Sequence, residues 1–336
     1  MARISLTAVT RTLHLKVPFR ISGFVFDRSD VVVVTLTEGE AIGRGEGGGV
    51  YYLGDDVAHM LADINAAKAA IEAGISREEL RATMPPGGGR NAVDCALWEL
   101  DASRAGRPAW TLAGLDALKP LLTTFTVSAD SPAAMADRAR GYADARAIKV
   151  KLTGDLALDV ERVVAVRAAR PDVWLGVDGN QGFARDQLEP LVDALIAQRV
   201  MLLEQPLARG READLDGFRS AIPIAGDESL LSLANLPSAQ GRFDVVNIKL
   251  DKCGGLTEGL LMAAEARRLG MTVMVGTMIG TSLSTAPALI LGQQSDIVDL
   301  DGPTFIVEDQ EHAVDYSDGF VSASADVWGS GKVLAE

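Results

Sequence analysis

From residue 120 onward, short β-branched apolar runs alternate with longer amphipathic segments at a spacing of about 25 residues. The runs are "LLTTFTVS", "AIKVKL", "VWLGVDGN", "VMLLEQP", "IPIAGDES", "DVVNIKL", "TVMVGTM" and "DIVDLDGP", with helical patterns such as "LALDVERVVAVRAARP" and "LTEGLLMAAEARRLG" between them. Strand and helix in alternation predict successive βα units around a parallel sheet. Eight runs favour a closed (β/α)8 barrel, with an open doubly wound sheet as the other solution. Residues 1–118 carry a different pattern. There "VVVVTLTEGEAIGRGEG" reads as a hairpin and "NAVDCALWELDASRAG" as an amphipathic helix ended by Gly106. The pattern predicts an α+β unit over 1–118, a barrel over 119–302, and a tail over 303–336 that lacks the βα repeat and packs back on the first unit.

The glycine cluster "GRGEGGG" follows a strand-like run, as a dinucleotide loop would. No apolar-striped helix follows it, and the chain continues into "VYYLGDD", so the cluster reads as a mobile surface loop. Tyr51 and Tyr52 beside it are placed to line a lid.

Composition narrows the function. The chain has 336 residues, 48% of them hydrophobic, enough for one large domain and a smaller one. A formal charge of −14 opposes nucleic-acid and anionic-membrane partners. The N-terminus lacks an apolar signal core and no apolar run approaches membrane-spanning length, so a soluble, cytoplasmic protein is expected. Cys95 and Cys253 have no CxxC spacing, which leaves a disulfide framework or zinc site without support. His14, His59 and His312 are scattered and read as surface or packing residues, so proton chemistry falls to other residue types.

In a (β/α)8 enzyme the C-terminal strand ends meet around one cavity. Here they carry Lys151, Asp178, Glu204, Asp227, Lys249, and then Asp299 with Asp301. Each carboxylate alone reads as a helix cap or loop residue. Three on consecutive strands repel one another unless a hard divalent cation sits among them, and Mg²⁺ is the natural choice. Lys149 and Lys151 share one side of their strand, as do Asn247 and Lys249. Strands two and six stand on opposite sides of the ring, so their lysines could serve as a base on one face of a substrate and an acid on the other. Desolvation and neighbouring positive charge, including Lys149 near Lys151, are expected to lower the lysine pKa values.

The set "KVK", "DGNQ", "EQP", "GDES" and "IKLDKCGG" resembles the enolase superfamily, in particular its muconate-lactonizing subgroup, over nearly the whole chain. The resemblance implies a capping domain built from the N-terminal segment and the tail. It also implies Mg²⁺ on Asp178, Glu204 and Asp227, and Lys151 with Lys249 as an acid/base pair acting through an enediolate. Asn180 and Glu228 resemble residues that orient ligands or lysines. Asp299-x-Asp301 resembles the signature of dipeptide epimerases, in which these acids hold the substrate's α-ammonium; the bland alternative is a turn at "DGP". Lys149 and the cap-loop residues Phe24 and Phe26 are further candidates for substrate contact. Family members acting on alanyl-glutamate commonly carry an arginine in that loop. Here "PFRISGFVFDRSD" has Gly23 to Phe26 at its centre and Arg20 and Arg28 at its flanks, which leaves an apolar side-chain pocket open.

The leading expectation is a Mg²⁺-dependent dipeptide epimerase assembled from identical subunits, with a small dipeptide as its partner. Cycloisomerase, dehydratase, o-succinylbenzoate synthase or N-acylamino-acid racemase chemistry is the alternative, and it gives the two aspartates no ammonium to bind. A non-catalytic binding protein on a decayed barrel would lack a ligand or a lysine, and none is missing.

Overall fold

The computed structural model describes residues 3–331. The extremities of the first and last expected segments, residues 1–2 and 332–336, lie outside the described residues. Alternating apolar and polar positions form an antiparallel meander of β1 (Ser5–Ile21), β2 (Phe24–Glu38) and β3 (Ala41–Gly48). Val32, Val34 and Leu36 point to one face of β2 and pack with Met60, Ile64, Leu97 and Leu100. Those partners come from α1 (Val57–Glu72) and α3 (Gly88–Ala105), with α2 (Arg77–Thr83) between them. The capping box of Ser76 and Glu79 opens α2, and Gly106, at φ 59°, closes α3 as its sequence predicts.

The expectation of a mobile glycine loop is overturned. Gly43, Gly45 and Gly47 lie within β3, buried, and face the backbone of α3. A Cβ would sit 2.0 Å from the Ala96 carbonyl oxygen at Gly43, 2.1 Å from that of Ala92 at Gly45, and 2.0 Å from that of Gly88 at Gly47. Glycine at every second position is therefore a strand face shaved flat so that a helix can lie directly on it. Apolar periodicity does not report that arrangement. Gly45→Ala is expected to cost about 3 kcal/mol, at the upper end for overpacking. A urea melt should show the loss, while Gly141→Ala, with nothing within 4 Å of the added methyl, leaves the midpoint unchanged or slightly raised.

After the short helix α4 (Ala109–Leu112) and β4 (Leu121–Leu122) come the barrel strands. They are β5 (Thr124–Val127), β6 (Ala147–Lys151), β7 (Trp174–Asp178), β8 (Leu202–Glu204), β9 (Ile224–Gly226), β10 (Val245–Lys249), β11 (Thr272–Gly276) and β12 (Ile297–Asp299). All neighbouring pairs from β5 to β12 are parallel. The ring closes through side chains: Thr123 Oγ1 accepts the Leu300 N–H at 2.9 Å, and Thr124 Oγ1 donates to Asp299. The open sheet is thereby excluded.

The repeat is less regular than its sequence pattern. α5 (Pro132–Gly141), α6 (Leu156–Ala169) and α7 (Leu188–Ala197) follow the first three barrel strands. A 3-10 turn at Glu212–Leu215 replaces the helix after β8, and α8 (Leu236–Ala239) after β9 has a single turn. α9 (Leu250–Cys253), α10 (Leu256–Arg268) and α11 (Ser282–Gly292) complete the ring.

Buried carboxylates tie the meander unit to the barrel. Glu46 accepts the Thr281 N–H at 2.7 Å at the start of α11, and Asp251 accepts the Gly48 N–H at 2.9 Å and Asn91 Nδ2 at 2.8 Å. Asp94 accepts the Thr257 N–H at 2.9 Å. These bonds hold the chain after β3 over the C-terminal ends of the barrel strands. In the tail, β13 (Asp315–Ser317) pairs with β14 (Phe320–Ser322), which pairs in turn with β4, while Trp328 Nε1 donates to the Arg44 carbonyl at 2.8 Å. The tail thus touches both the barrel and the meander. All three histidines are exposed, both cysteines are buried and unpaired, and no described helix is long and apolar enough to cross a membrane.

Candidate active site

Each short barrel strand delivers its last residues to the same end of the ring. β6 sends in Lys149 and Lys151, β7 Asp178, β8 Glu204, β10 Asn247 and Lys249, and Asp227 follows β9. One oxygen each from Asp178, Glu204 and Asp227 can be chosen so that all lie within 4.8 Å of one another. Among the described residues this is the only group of three or more such side chains so placed.

Lysines divide this acidic cluster between them. Lys151 Nζ is 2.7 Å from Asp178 Oδ2, and Lys249 Nζ is 2.7 Å from Asp227 Oδ2. Lys149 Nζ lies beneath, 3.2 Å from Asp178, 2.7 Å from Glu204 and 2.8 Å from Asp299. The sequence-based expectation of a depressed pKa therefore fails for Lys249, and Lys149 shifts the same way. Burial pushes Lys149 and Lys249 down, but the carboxylates outweigh it and hold both above the ordinary lysine value.

The acids respond unequally. Burial, reinforced by Asp178, pushes Glu204 up to about 7. Burial also opposes ionisation of Asp227, yet Lys249 and Lys252 outweigh it and hold that carboxyl well below the usual range. Glu204 Oε2 is in ion-pair contact with Lys149 but has no hydrogen bond, and Asn180 Oδ1, Glu228 Oε2 and Asn247 Oδ1 are likewise buried without partners. Oxygen-only donors, converging and incompletely satisfied, fit a hard divalent cation such as Mg²⁺. Asn180 donates its N–H to Asp178 Oδ1 at 2.9 Å and its amide to Glu228 Oε1 at 3.3 Å, which ties both residues to the cluster.

A cavity of about 710 Å³ opens above this floor. Lys151, Asn180, Asp227, Glu228, Lys249, Asp299 and Asp301 all line it. Asp299 lies 2.8 Å from Lys149 Nζ on one side and borders the cavity on the other. Asp301 differs: its Oδ2 accepts the Thr126 N–H at 2.6 Å, and burial together with the Asp299 charge pushes its pKa up to about 7. Lys149, expected to meet substrate, is instead enclosed by carboxylates and does not line the cavity.

The cap-loop register is now fixed. Phe26 lines the cavity, whereas Phe24, 46% exposed, lies outside its lining and packs on Tyr51 at 4.6 Å. Phe26 and Tyr51 also touch, at 5.2 Å, joining the β1–β2 tip to the loop after β3. Arg28 lines the cavity and Arg20 does not. The sequence reading missed Phe19, whose ring centroid is 6.0 Å from Lys151 Nζ, as well as Thr126 and Lys252. Lys252 has a usable signal, a second cation three residues after Lys249 in "IKLDK".

Comparison with known proteins agrees with this geometry. Residues 3–114 match the mandelate racemase/muconate lactonizing enzyme N-terminal domain, and residues 134–331 match the enolase C-terminal domain-like family. The chain is 40% identical to an L-Ala-D/L-Glu epimerase of Escherichia coli, over 91% of this chain and 95% of that one. A crystal structure of an enolase family member from Agrobacterium tumefaciens with homology to dipeptide epimerases, holding sodium and L-Ala-L-Glu, is 38% identical and superposes with a TM-score of 0.94, covering 97% of this chain and all of that one. A dipeptide epimerase from Methylococcus capsulatus, complexed with Mg and L-Arg-D-Lys, is 26% identical with a TM-score of 0.90, over 96% and 98% of the two chains. With both of its parts matched in order, the chain belongs to the mandelate racemase/muconate lactonizing enzyme family of the enolase superfamily.

Proposed function

We propose that the protein is a Mg²⁺-dependent dipeptide epimerase that inverts the α-carbon of the C-terminal residue by proton transfer between Lys151 and Lys249. The observation that carries this reading is the pairing of these lysines with different acids of one cluster, Asp178 and Asp227, while Asp299 and Asp301 face the same cavity. Mg²⁺ held by Asp178, Glu204 and Asp227 supplies the positive charge that makes a proton beside a carboxylate removable. One lysine, released as the neutral amine where its carboxylate partner is engaged by the cation, takes that proton from one face, leaving an enediolate. The other, as the ammonium, returns a proton to the opposite face. Asp301, with Asp299, takes the substrate's α-ammonium, and Asn180 and Glu228 steady the acid cluster. In this reading residues 119–302 carry the chemistry, and residues 1–118 with the tail from 303 cap it.

The cap side of the cavity favours an apolar side chain on the inverted residue. Phe19, Ile21, Val25, Phe26, Tyr51 and Phe305 line it. The arginine there, Arg28, has its Nε 3.5 Å from Asp30, and Asp27, Asp55 and Asp56 also border the cavity. An acidic side chain would meet four carboxylates and one shared guanidinium.

The test is α-proton exchange in D₂O with Mg²⁺ over a dipeptide panel. L-Ala-L-Phe and L-Ala-L-Leu should epimerise faster than L-Ala-L-Glu, and N-acetylated dipeptides, having no ammonium, should be poor substrates. Asp301→Asn removes one charge-assisted contact of about 1.5–3 kcal/mol, roughly a 10- to 150-fold loss in kcat/KM on free dipeptides. Equal turnover of free and N-acetylated substrates would displace the ammonium-binding role and favour a racemase.

A further inference from the structure

Lys252 is 2% exposed and is the largest side chain in the described structure that is wholly enclosed. It stands on α9, one turn beyond Lys249, and its ammonium points back under the barrel rim. All three of its donors are used: Asp227 Oδ1 at 2.5 Å, the Asp227 carbonyl at 2.6 Å and the Asn247 carbonyl at 2.9 Å. Burying an ammonium is costly, and an apolar side chain of similar volume would avoid that cost. The contacts show what the charge accomplishes. Lys252 grips the main chain at the end of β9 and within β10, and takes one specific oxygen of Asp227, so that carboxylate cannot rotate freely. Asp227 Oδ2 is left for Lys249, at 2.7 Å on the cavity side.

We propose that Lys252 is a positioning residue that holds Asp227 in a single orientation, with Oδ2 turned to Lys249, and so keeps this carboxylate ready to serve as a metal ligand. The inference rests on the metal-site reading above, but not on which substrate is turned over. It also separates two physical effects of opposite sign. If Lys252 acted only through its charge, removing it would tighten cation binding, because a positive neighbour of the site is lost. If it acts by orienting Asp227, removing it weakens binding, as loss of a supporting hydrogen bond beneath a metal ligand typically does by roughly 10- to 100-fold.

The experiment is calorimetric titration of Mg²⁺ into the metal-free, full-length protein and its Lys252→Met variant, with thermal melts of both. Lys252→Met should bind Mg²⁺ roughly 10- to 100-fold more weakly, and its kcat/KM at limiting Mg²⁺ should recover substantially at saturating Mg²⁺. Lys252→Gln, which keeps an N–H donor without the charge, should fall between parent and Met, and it carries the test if Lys252→Met does not fold. Unchanged or tighter Mg²⁺ binding by either folded variant would overturn the orienting role while leaving the metal site intact. A parent protein that binds no Mg²⁺ would overturn the site reading and this inference together.

Discussion

Lys151→Ala and Lys249→Ala are each expected to abolish epimerisation, a loss of roughly 10³- to 10⁴-fold or more, since positioned proton transfer contributes about 10²- to 10⁴-fold and no second base replaces either lysine on its own face. The two variants should nevertheless differ. Lys151 and Lys249 pair with different acids, and the proposed mechanism sets each on its own face of the α-carbon. The lysine that remains can still remove and return the α-proton it faces. Each single variant should therefore wash deuterium from D₂O into one epimer only, without inversion, and the two variants should choose opposite epimers. By family resemblance, Lys151 is expected to face the proton of the L-epimer and Lys249 that of the D-epimer. Proton NMR of the α-position over time, alongside optical rotation, reads both quantities. Inversion at the parental rate in either variant would end the two-base scheme. Loss of exchange in both epimers of one variant would instead point to damage beyond the missing base, which an unchanged Mg²⁺ affinity would exclude.

How much of this site can be read in the sequence depends on which interactions are local. The acids and lysines were legible because a parallel barrel brings every strand end to one place, so position along the chain gives position in space. Lys149 shows the limit of that reasoning. Its strand parity was correct, yet parity does not say whether an inward side chain reaches the cavity or stops among buried carboxylates. Its contacts with Asp178, Glu204 and Asp299 come from three other strands. The charge state of Lys249 was misjudged for the same reason, since burial was legible and the nearness of Asp227 was not. The glycines of β3 were misread because their constraint is the close approach of α3, which leaves no trace in apolar periodicity. The cap-loop register depended on the turn at Gly23 and on Phe26 meeting Tyr51, a contact between separate segments.

Glu204→Gln tests the metal site with the fold held constant. Glu204 is fully buried; its Oε1 accepts Asn247 Nδ2 at 2.8 Å, and its Oε2 lies 2.7 Å from Lys149 Nζ. An amide of the same size can turn its oxygen toward Lys149 and its N–H toward Asn247, whose Oδ1 has no partner and can receive it. The substitution also removes a carboxylate whose ionisation burial and Asp178 already oppose. Without metal the variant should therefore melt at the parental temperature or slightly above it. With metal the order reverses. Losing one ligand charge beside a divalent ion removes on the order of 8 kcal/mol of attraction at about 4 Å and an effective dielectric of about 20, about half of it offset by relief of the repulsion from Asp178 and by the lower desolvation of an amide, so Mg²⁺ should bind roughly 10²- to 10³-fold more weakly. Parent enzyme in excess Mg²⁺ should gain thermal stability through linkage, by about 2.7 kcal/mol at a hundred times its dissociation constant, while the variant gains little at the same concentration. Activity should follow occupancy: EDTA silences the parent, added Mg²⁺ restores it, and Glu204→Gln stays inactive until Mg²⁺ is raised far higher. If metal-free enzyme kept its full rate, or if Mg²⁺ stabilised parent and variant alike, the three carboxylates would be neutralised by their lysines alone and the metal would have no place in the reaction.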